Sequence, residues 1–227
     1  RDGEAVSGSW GNMSSGWDMD GMKDVNFMLD MIDAVKADYN IDDTRVYMTG
    51  YSMGGAFAYY MAQKAPDRVA AVVSFSGYDI LGGSVSCSRP MPVFHFHGTS
   101  DNIMDYNYVA GYLRKWYNNS SCSSSPVVQN KYPCPAIANA TLTTYINCDC
   151  EVEVKLLNLP GLGHDYDGFF NHSDNKQVKD IIKFCKQYNT SCGKISPEEA
   201  IENIVAEPAA TKRIDDGVLV IERGGKT

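Results

Sequence analysis

One serine, one aspartate and one histidine stand out because each follows a strand-like run and together they could perform acyl transfer. Ser52 sits in "RVYMTGYSMGGAFAYYMA" (residues 45–62), within a G-x-S-x-G pattern made by Gly50, Ser52 and Gly54, with Gly55 added. A serine hydroxyl is a weak nucleophile until a base takes its proton and an acid orients that base. Asp101 lies in "HFHGTSDNIMDY" and His164 in "LPGLGHDYDG", so the chain order is Ser, Asp, His. That is the order expected when a nucleophile elbow is followed by its partners on later strands.

The neighbours of these residues admit other readings, and each is assigned on its setting. Asp105 directly precedes a helical pattern and reads as an N-cap. His95 alternates with Phe94 and Phe96 in a strand and reads as a satisfied core or flank histidine; His97 ends that strand and reads as a brace for the Asp101 loop. His172 stands in a polar stretch rich in Asn and Ser. Glycines on both sides of His164 read as a loop free to carry a base.

The elements that must position these residues follow from periodicity. Val25, Met28, Leu29, Ile32 and Val35 have helical spacing behind an acidic start at Asp20–Asp24. Strand-like runs are predicted at 45–49, 69–76, 92–98 and 152–159. Between them, helical faces are predicted from Ala56, Phe57, Tyr60 and Met61, and from Val109, Tyr112, Leu113 and Trp116. Val178, Ile181, Ile182 and Cys185 mark a closing helix. Strands that alternate with helices imply an α/β fold, a mostly parallel sheet covered on both faces. In that setting Gly50 and Gly54 are expected to remove Cβ atoms that would clash at the elbow, and Gly55 to let the helix pack close to the strand. Met53, directly after the serine, would offer its backbone N–H to a developing oxyanion.

Composition excludes several function classes. A formal net charge of −8 over 227 residues argues against a nucleic-acid or anionic-membrane partner, which need a basic face. No apolar run approaches membrane-spanning length. Seven cysteines without a C-x-x-C pair argue for disulfides and export over a zinc site, and the odd count implies one thiol left over within the chain. Six N-x-S/T sequons, at Asn12, Asn118, Asn119, Asn139, Asn171 and Asn189, fit an extracellular surface. No metal and no organic cofactor is implied. The chain opens on Arg1 and not on Met, which reads as a processed, trimmed or partial chain.

Two regions break the alternation. Residues 118–150, rich in Ser, Asn, Pro and Cys, read as an excursion loop held by disulfides. After Gly193 the composition shifts, giving an expected division into a catalytic domain (1–193), a linker (194–212) and the start of a small β-hairpin-like segment (213–227) with a D-G turn.

"VYMTGYSMGG", "PVFHFHGTSDNIMDY", the stretch from "LRKWYNNSSC" to Cys148, and "LPGLGHDYDG" together resemble the polyhydroxybutyrate depolymerase/feruloyl esterase group of α/β-hydrolases, similar to carbohydrate esterase family one. The resemblance runs from about Gly8 to Gly193. It implies Ser52 as nucleophile, Asp101 as acid, His164 as base and Met53 as one oxyanion donor. It also implies secretion and ester substrates: feruloyl or acetyl groups on plant cell-wall polysaccharide, with short polyhydroxyalkanoate esters second and peptides after them. A catalytically inactive binding module is the rival from another class. Cys122 is expected to pair with Cys148 or Cys150. The family also carries earlier strands and a His-Gly-Gly-type loop that supplies a second oxyanion donor. Residues 1–22 show no counterpart, so a chain shortened at its amino terminus, with a bare edge beside the elbow strand, is expected.

Overall fold

The computed structural model describes residues 6–8, 11–13, 16–78, 84–134, 137–165, 167, 176–195, 210–215 and 218–223. His172, Asn171, Gly168, the D-G turn at 216–217 and most of the expected linker lie outside the described residues.

At the centre is a six-stranded sheet. In chain order its strands are β3 (Tyr47–Tyr51), β4 (Ala71–Phe75), β5 (Val93–Gly98), β6 (Val127–Gln129), β7 (Thr141–Tyr145) and β8 (Val154–Leu159), arranged in space as β3-β4-β5-β8-β7-β6. The first four positions run parallel, and β7 and β6 add two antiparallel strands. β1 (Val6–Gly8) and β2 (Gly11–Met13) form a separate antiparallel pair that the sequence reading did not anticipate; β9 (Ala210–Asp215) and β10 (Val218–Arg223) form another.

The parallel strands are legible as apolar runs because both their faces are covered. β4 and β5 are buried at every residue. Their alternate side chains go to two cores: Val72, Val93 and Val154 join one, while Val73, Phe94, Phe96 and Leu157 join the other. The first core takes up α1 (Lys23–Asp38), α2 (Met53–Lys64) and α3 (Val109–Asn119); the second takes Phe184 and Cys185 of α4 (Lys176–Cys185). α2 is buried from Gly55 to Ala62, so its apolar character runs all round and not along one stripe.

Several expectations need correction. The α1 stripe is buried at Val25 and Ile32 only, and Val35 is 42 % exposed, beyond the turns that meet the core. The buried face of α4 is Gln177, Phe184 and Cys185, with Val178 and Ile182 turned to solvent. Residues 118–150 are not one excursion loop, because β6 and β7 lie within them and extend the sheet. β7 escaped notice because all five of its residues are only half-buried, so no apolar run marks it; its place rests on backbone pairing to β8.

Disulfides join Cys122 to Cys148 and Cys150 to Cys192. The first meets the expected pairing and ties the end of α3 to the entry of β8, where Asp149 N–H also donates to the Ser120 carbonyl at 2.9 Å. Three cysteines, Cys87, Cys134 and Cys185, form no disulfide, where one had been expected. Cys134 and Cys185 are buried in the second core, where a thiol packs as a small apolar group.

β3 stands at one edge of the sheet, and among the described residues no strand pairs with its outer side. None of the described helices is long and apolar enough to cross a membrane.

Candidate active site

The turn between β3 and α2 places Ser52 at φ 54°, ψ −120°, a backbone conformation that L-residues rarely adopt. Two backbone bonds hold it there: Ser52 N–H donates to the Phe75 carbonyl at 2.8 Å, and the Ser52 carbonyl accepts from Ala56 N–H at 3.0 Å. A methyl group on Gly50 would lie 2.3 Å from the Gly54 carbonyl, so only glycine fits two residues before the serine. Gly55 is equally constrained, because its Cβ would meet Ser74 Oγ at 2.6 Å and Gly77 Cα at 3.0 Å. Gly54 differs from expectation, since a Cβ there would meet nothing within 4 Å. The clash that the elbow avoids is therefore between residue 50 and the helix backbone. Residue 54 faces open space.

Asp101 follows β5 and is buried. Its Oδ1 accepts from Ile103 N–H (3.0 Å) and Met104 N–H (2.9 Å), which commits that oxygen to its own turn. The other oxygen, Oδ2, lies 2.8 Å from His164 Nδ1. Burial pushes this carboxyl up, but the bonds from His164 and Met104 outweigh it, and the group is held below its ordinary value. Asp105, as expected, caps the following 3-10 turn by accepting from Asn107 N–H at 2.9 Å.

His164 follows β8, and its Nε2 lies 2.8 Å from Ser52 Oγ. The structure therefore brings Ser52, His164 and Asp101 into one hydrogen-bonded string across two ends of the imidazole. The His164 loop, expected to be loose, is bound to the acid loop. Ser100 N–H donates to the Leu162 carbonyl at 2.9 Å, and Gly161 N–H to Thr99 Oγ1 at 3.0 Å. Gly161, at φ 77°, supplies the left-handed turn this crossing needs.

Sequence reasoning missed Tyr51, whose ring lies 4.8 Å from the His164 ring and tilts 35° against it. Burial, then the charges of Asp101 and Asp165, push its phenol up, so it stays neutral beside the imidazole. The signal was available: Tyr51 directly precedes the serine at the elbow. Met53 is the first residue of α2, so its backbone N–H has no partner within the helix and is available beside Ser52.

The family model for phospholipases and carboxylesterases matches residues 17–134, more than half of the chain. The chain belongs to that family. The match includes Ser52, Met53 and Asp101, and His164 lies beyond it. Among curated relatives, the bifunctional acetylxylan esterase/xylanase XynS20E of Neocallimastix patriciarum is 36% identical over 178 residues, covering 78% of this chain and 25% of the relative. Feruloyl esterase B of Piromyces equi is 28% identical, covering 78% of this chain and 35% of the relative. The chain thus spans about a quarter to a third of the length of these relatives. Acetyl xylan esterase from Aspergillus awamori superposes with a TM-score of 0.58 at 16% identity, covering 76% of this chain and 73% of that one. That likeness places this member of the phospholipase/carboxylesterase family in the α/β-hydrolase fold.

Proposed function

We propose that this chain is the catalytic part of a secreted serine carboxylic-ester hydrolase that removes feruloyl or acetyl groups from plant cell-wall polysaccharide. The observation that carries the reading is the string Ser52 Oγ–His164–Asp101, with both contacts at 2.8 Å. His164 Nε2 takes the Ser52 proton as the hydroxyl oxygen attacks the ester carbonyl. The Nδ1–H bond to Asp101 keeps the imidazole in the tautomer that leaves Nε2 free to act, and offsets the charge it gains. The oxyanion of the tetrahedral intermediate forms beside the start of α2, where Met53 N–H donates to it. Collapse expels the alcohol, which takes its proton from His164, and leaves an acyl group on Ser52. Water, deprotonated by the same nitrogen, then releases the acid.

The substrate class rests on the relatives, whose names state acetylxylan and feruloyl esterase activities. Export is supported by the two disulfides, which persist in oxidising compartments. Asn118 and Asn139, two of the sequon asparagines, are exposed and open to modification there.

Hydrolysis of methyl ferulate, acetylated xylan and a short hydroxybutyrate oligomer by the protein and by Ser52→Ala tests this reading. Turnover of either of the first two that vanishes in the variant is expected. Turnover confined to the hydroxybutyrate oligomer would displace the polysaccharide reading, and no turnover of any ester would sink the whole.

A further inference from the structure

Beside Asp101, three buried side chains form a continuous string. Tyr59 Oη lies 2.7 Å from His95 Nδ1, His95 Nε2 lies 2.9 Å from His97 Nδ1, and His97 Nε2 lies 2.7 Å from the Met104 carbonyl. Tyr59, His95 and His97 are all essentially inaccessible to solvent. Tyr59 lies on α2, the helix that Ser52 opens, and Met104 N–H is one of the two donors to Asp101 Oδ1. The string therefore links the nucleophile's helix to the turn that aims the acid.

Its polarity follows from its end. A carbonyl only accepts, so His97 Nε2 carries a hydrogen. His97 Nδ1 can then take a hydrogen bond only while it is bare, and its donor must be His95 Nε2–H. That leaves His95 Nδ1 bare, and Tyr59 O–H donates to it. With this direction both imidazoles are neutral and every ring nitrogen is used. The opposite direction exists: a bare His95 Nε2 facing a protonated His97 Nδ1 would make His97 an imidazolium. That cation would sit 3.4 Å from Asp101 Oδ2, the oxygen that serves His164.

We infer that Tyr59, His95 and His97 are positioning residues whose hydrogen-bond direction, fixed by the Met104 carbonyl and completed by the Tyr59 hydroxyl, keeps His97 neutral so that Asp101 Oδ2 is left to His164. Burial, which disfavours a charged imidazole, acts in the same sense on His95 and His97. The groups that face His97 are His95 from its own strand, Asp101, Asp105 and Tyr106 from the loop after it, and His164 from across the site. Asp101 and Asp105 favour its charged form and His164 opposes it, so the site contains the charges that would protonate His97 if the direction were released.

The proposal rests on the triad reading but has a test that needs no turnover. Nitrogen-15 NMR of the imidazoles should show His95 and His97 as neutral Nε2–H tautomers from pH 8 to pH 5. A His97 that carries hydrogen on Nδ1 at neutral pH would overturn the inference, whatever the enzyme's activity. Tyr59→Phe removes the hydroxyl that satisfies the bare His95 Nδ1, at almost constant volume, and should let His97 take up a proton in that range. Its kcat should fall about tenfold at pH 6, the scale of one buried polar group left unpaired, and recover toward pH 8 with KM unchanged. A merely structural defect would lower kcat equally at both pH values, and that result, or a wild-type profile, would refute the assignment. His97→Gln, which can still donate to the Met104 carbonyl and has no titrating ring, should keep more activity at pH 6 than Tyr59→Phe; the reverse ranking would also refute it. Wild-type protein that turns over no ester would count against the triad and leave the tautomer result standing on its own.

Discussion

Gly98 and Leu162 are in backbone contact: a methyl group on Gly98 would lie 2.1 Å from the Leu162 carbonyl oxygen and 2.9 Å from that of Gly163. Gly98 ends β5 three residues before Asp101, and Leu162 precedes His164 by two. The acid loop and the base loop thus cross at a point where no side chain fits, and the Ser100–Leu162 hydrogen bond closes the crossing at 2.9 Å. The crossing lies beside the pair, where Asp101 Oδ2 and His164 Nδ1 are 2.8 Å apart.

Gly98→Ala should separate the two loops. Overpacking against backbone typically costs about 1 to 3 kcal/mol, and displacing a catalytic group by about an ångström costs on the order of a hundredfold in rate. Urea titration and ester turnover check both effects. An alanine variant with wild-type kcat would mean that the crossing does not set the geometry of the pair.

The two outer glycines of the elbow should behave oppositely. Gly50→Ala drives a methyl into the Gly54 backbone and should prevent the elbow from forming. Gly54→Ala meets open space inside the first turn of α2 and should leave stability unchanged or raise it by up to about 1 kcal/mol. Thermal melting of the two variants reads the difference directly, and equal destabilisation would contradict it.

This contrast shows where the sequence was legible. The strand–turn–helix setting of Ser52 could be read because a positive-φ residue with a glycine two positions away on each side leaves a compositional trace. The role of each glycine could not, because Gly50 and Gly54 look alike until the direction of each missing Cβ is known. The same limit explains β7, which pairs correctly but buries no apolar run, and Tyr59, whose hydroxyl meets His95 across a separation of 36 residues. Asp101 and His164 were legible because both follow runs that only a buried parallel strand would need. The Cys122 pairing narrowed to two partners, and the hydrogen bonds on either side of it, Asp149 N–H to the Ser120 carbonyl and Ser123 N–H to the Ile146 carbonyl, show why Cys148 is the one in reach.

Stability should fall early on acidification. His95 and His97 are held below their ordinary value by burial, so the folded protein resists taking protons that the unfolded chain accepts. The stability they contribute is therefore full above the unfolded value, near 6.5, and declines as pH drops toward their folded values, at up to about 1.4 kcal/mol per pH unit for each group. Asp101 and Glu153, held below their ordinary values, act later: their contribution persists above the usual carboxylate range and is lost only on passing below it. Urea midpoints at pH 7.5, 6 and 5 should decrease steadily, and a flat response down to pH 5 would mean that the two histidines are not buried neutral.

The activation of Ser52 by His164 is open to a direct measurement: the rate at which a fluorophosphonate labels the protein, followed by intact mass and by mapping of the labelled peptide. One adduct is expected, on Ser52. It should be absent in Ser52→Ala and slowed by orders of magnitude in His164→Ala, with Asp101→Asn reduced by about 10⁴-fold if the wrong tautomer is then favoured. Labelling of Ser52 at the wild-type rate in His164→Ala, or an adduct elsewhere that survives Ser52→Ala, would show that the string of 2.8 Å contacts does not make a nucleophile.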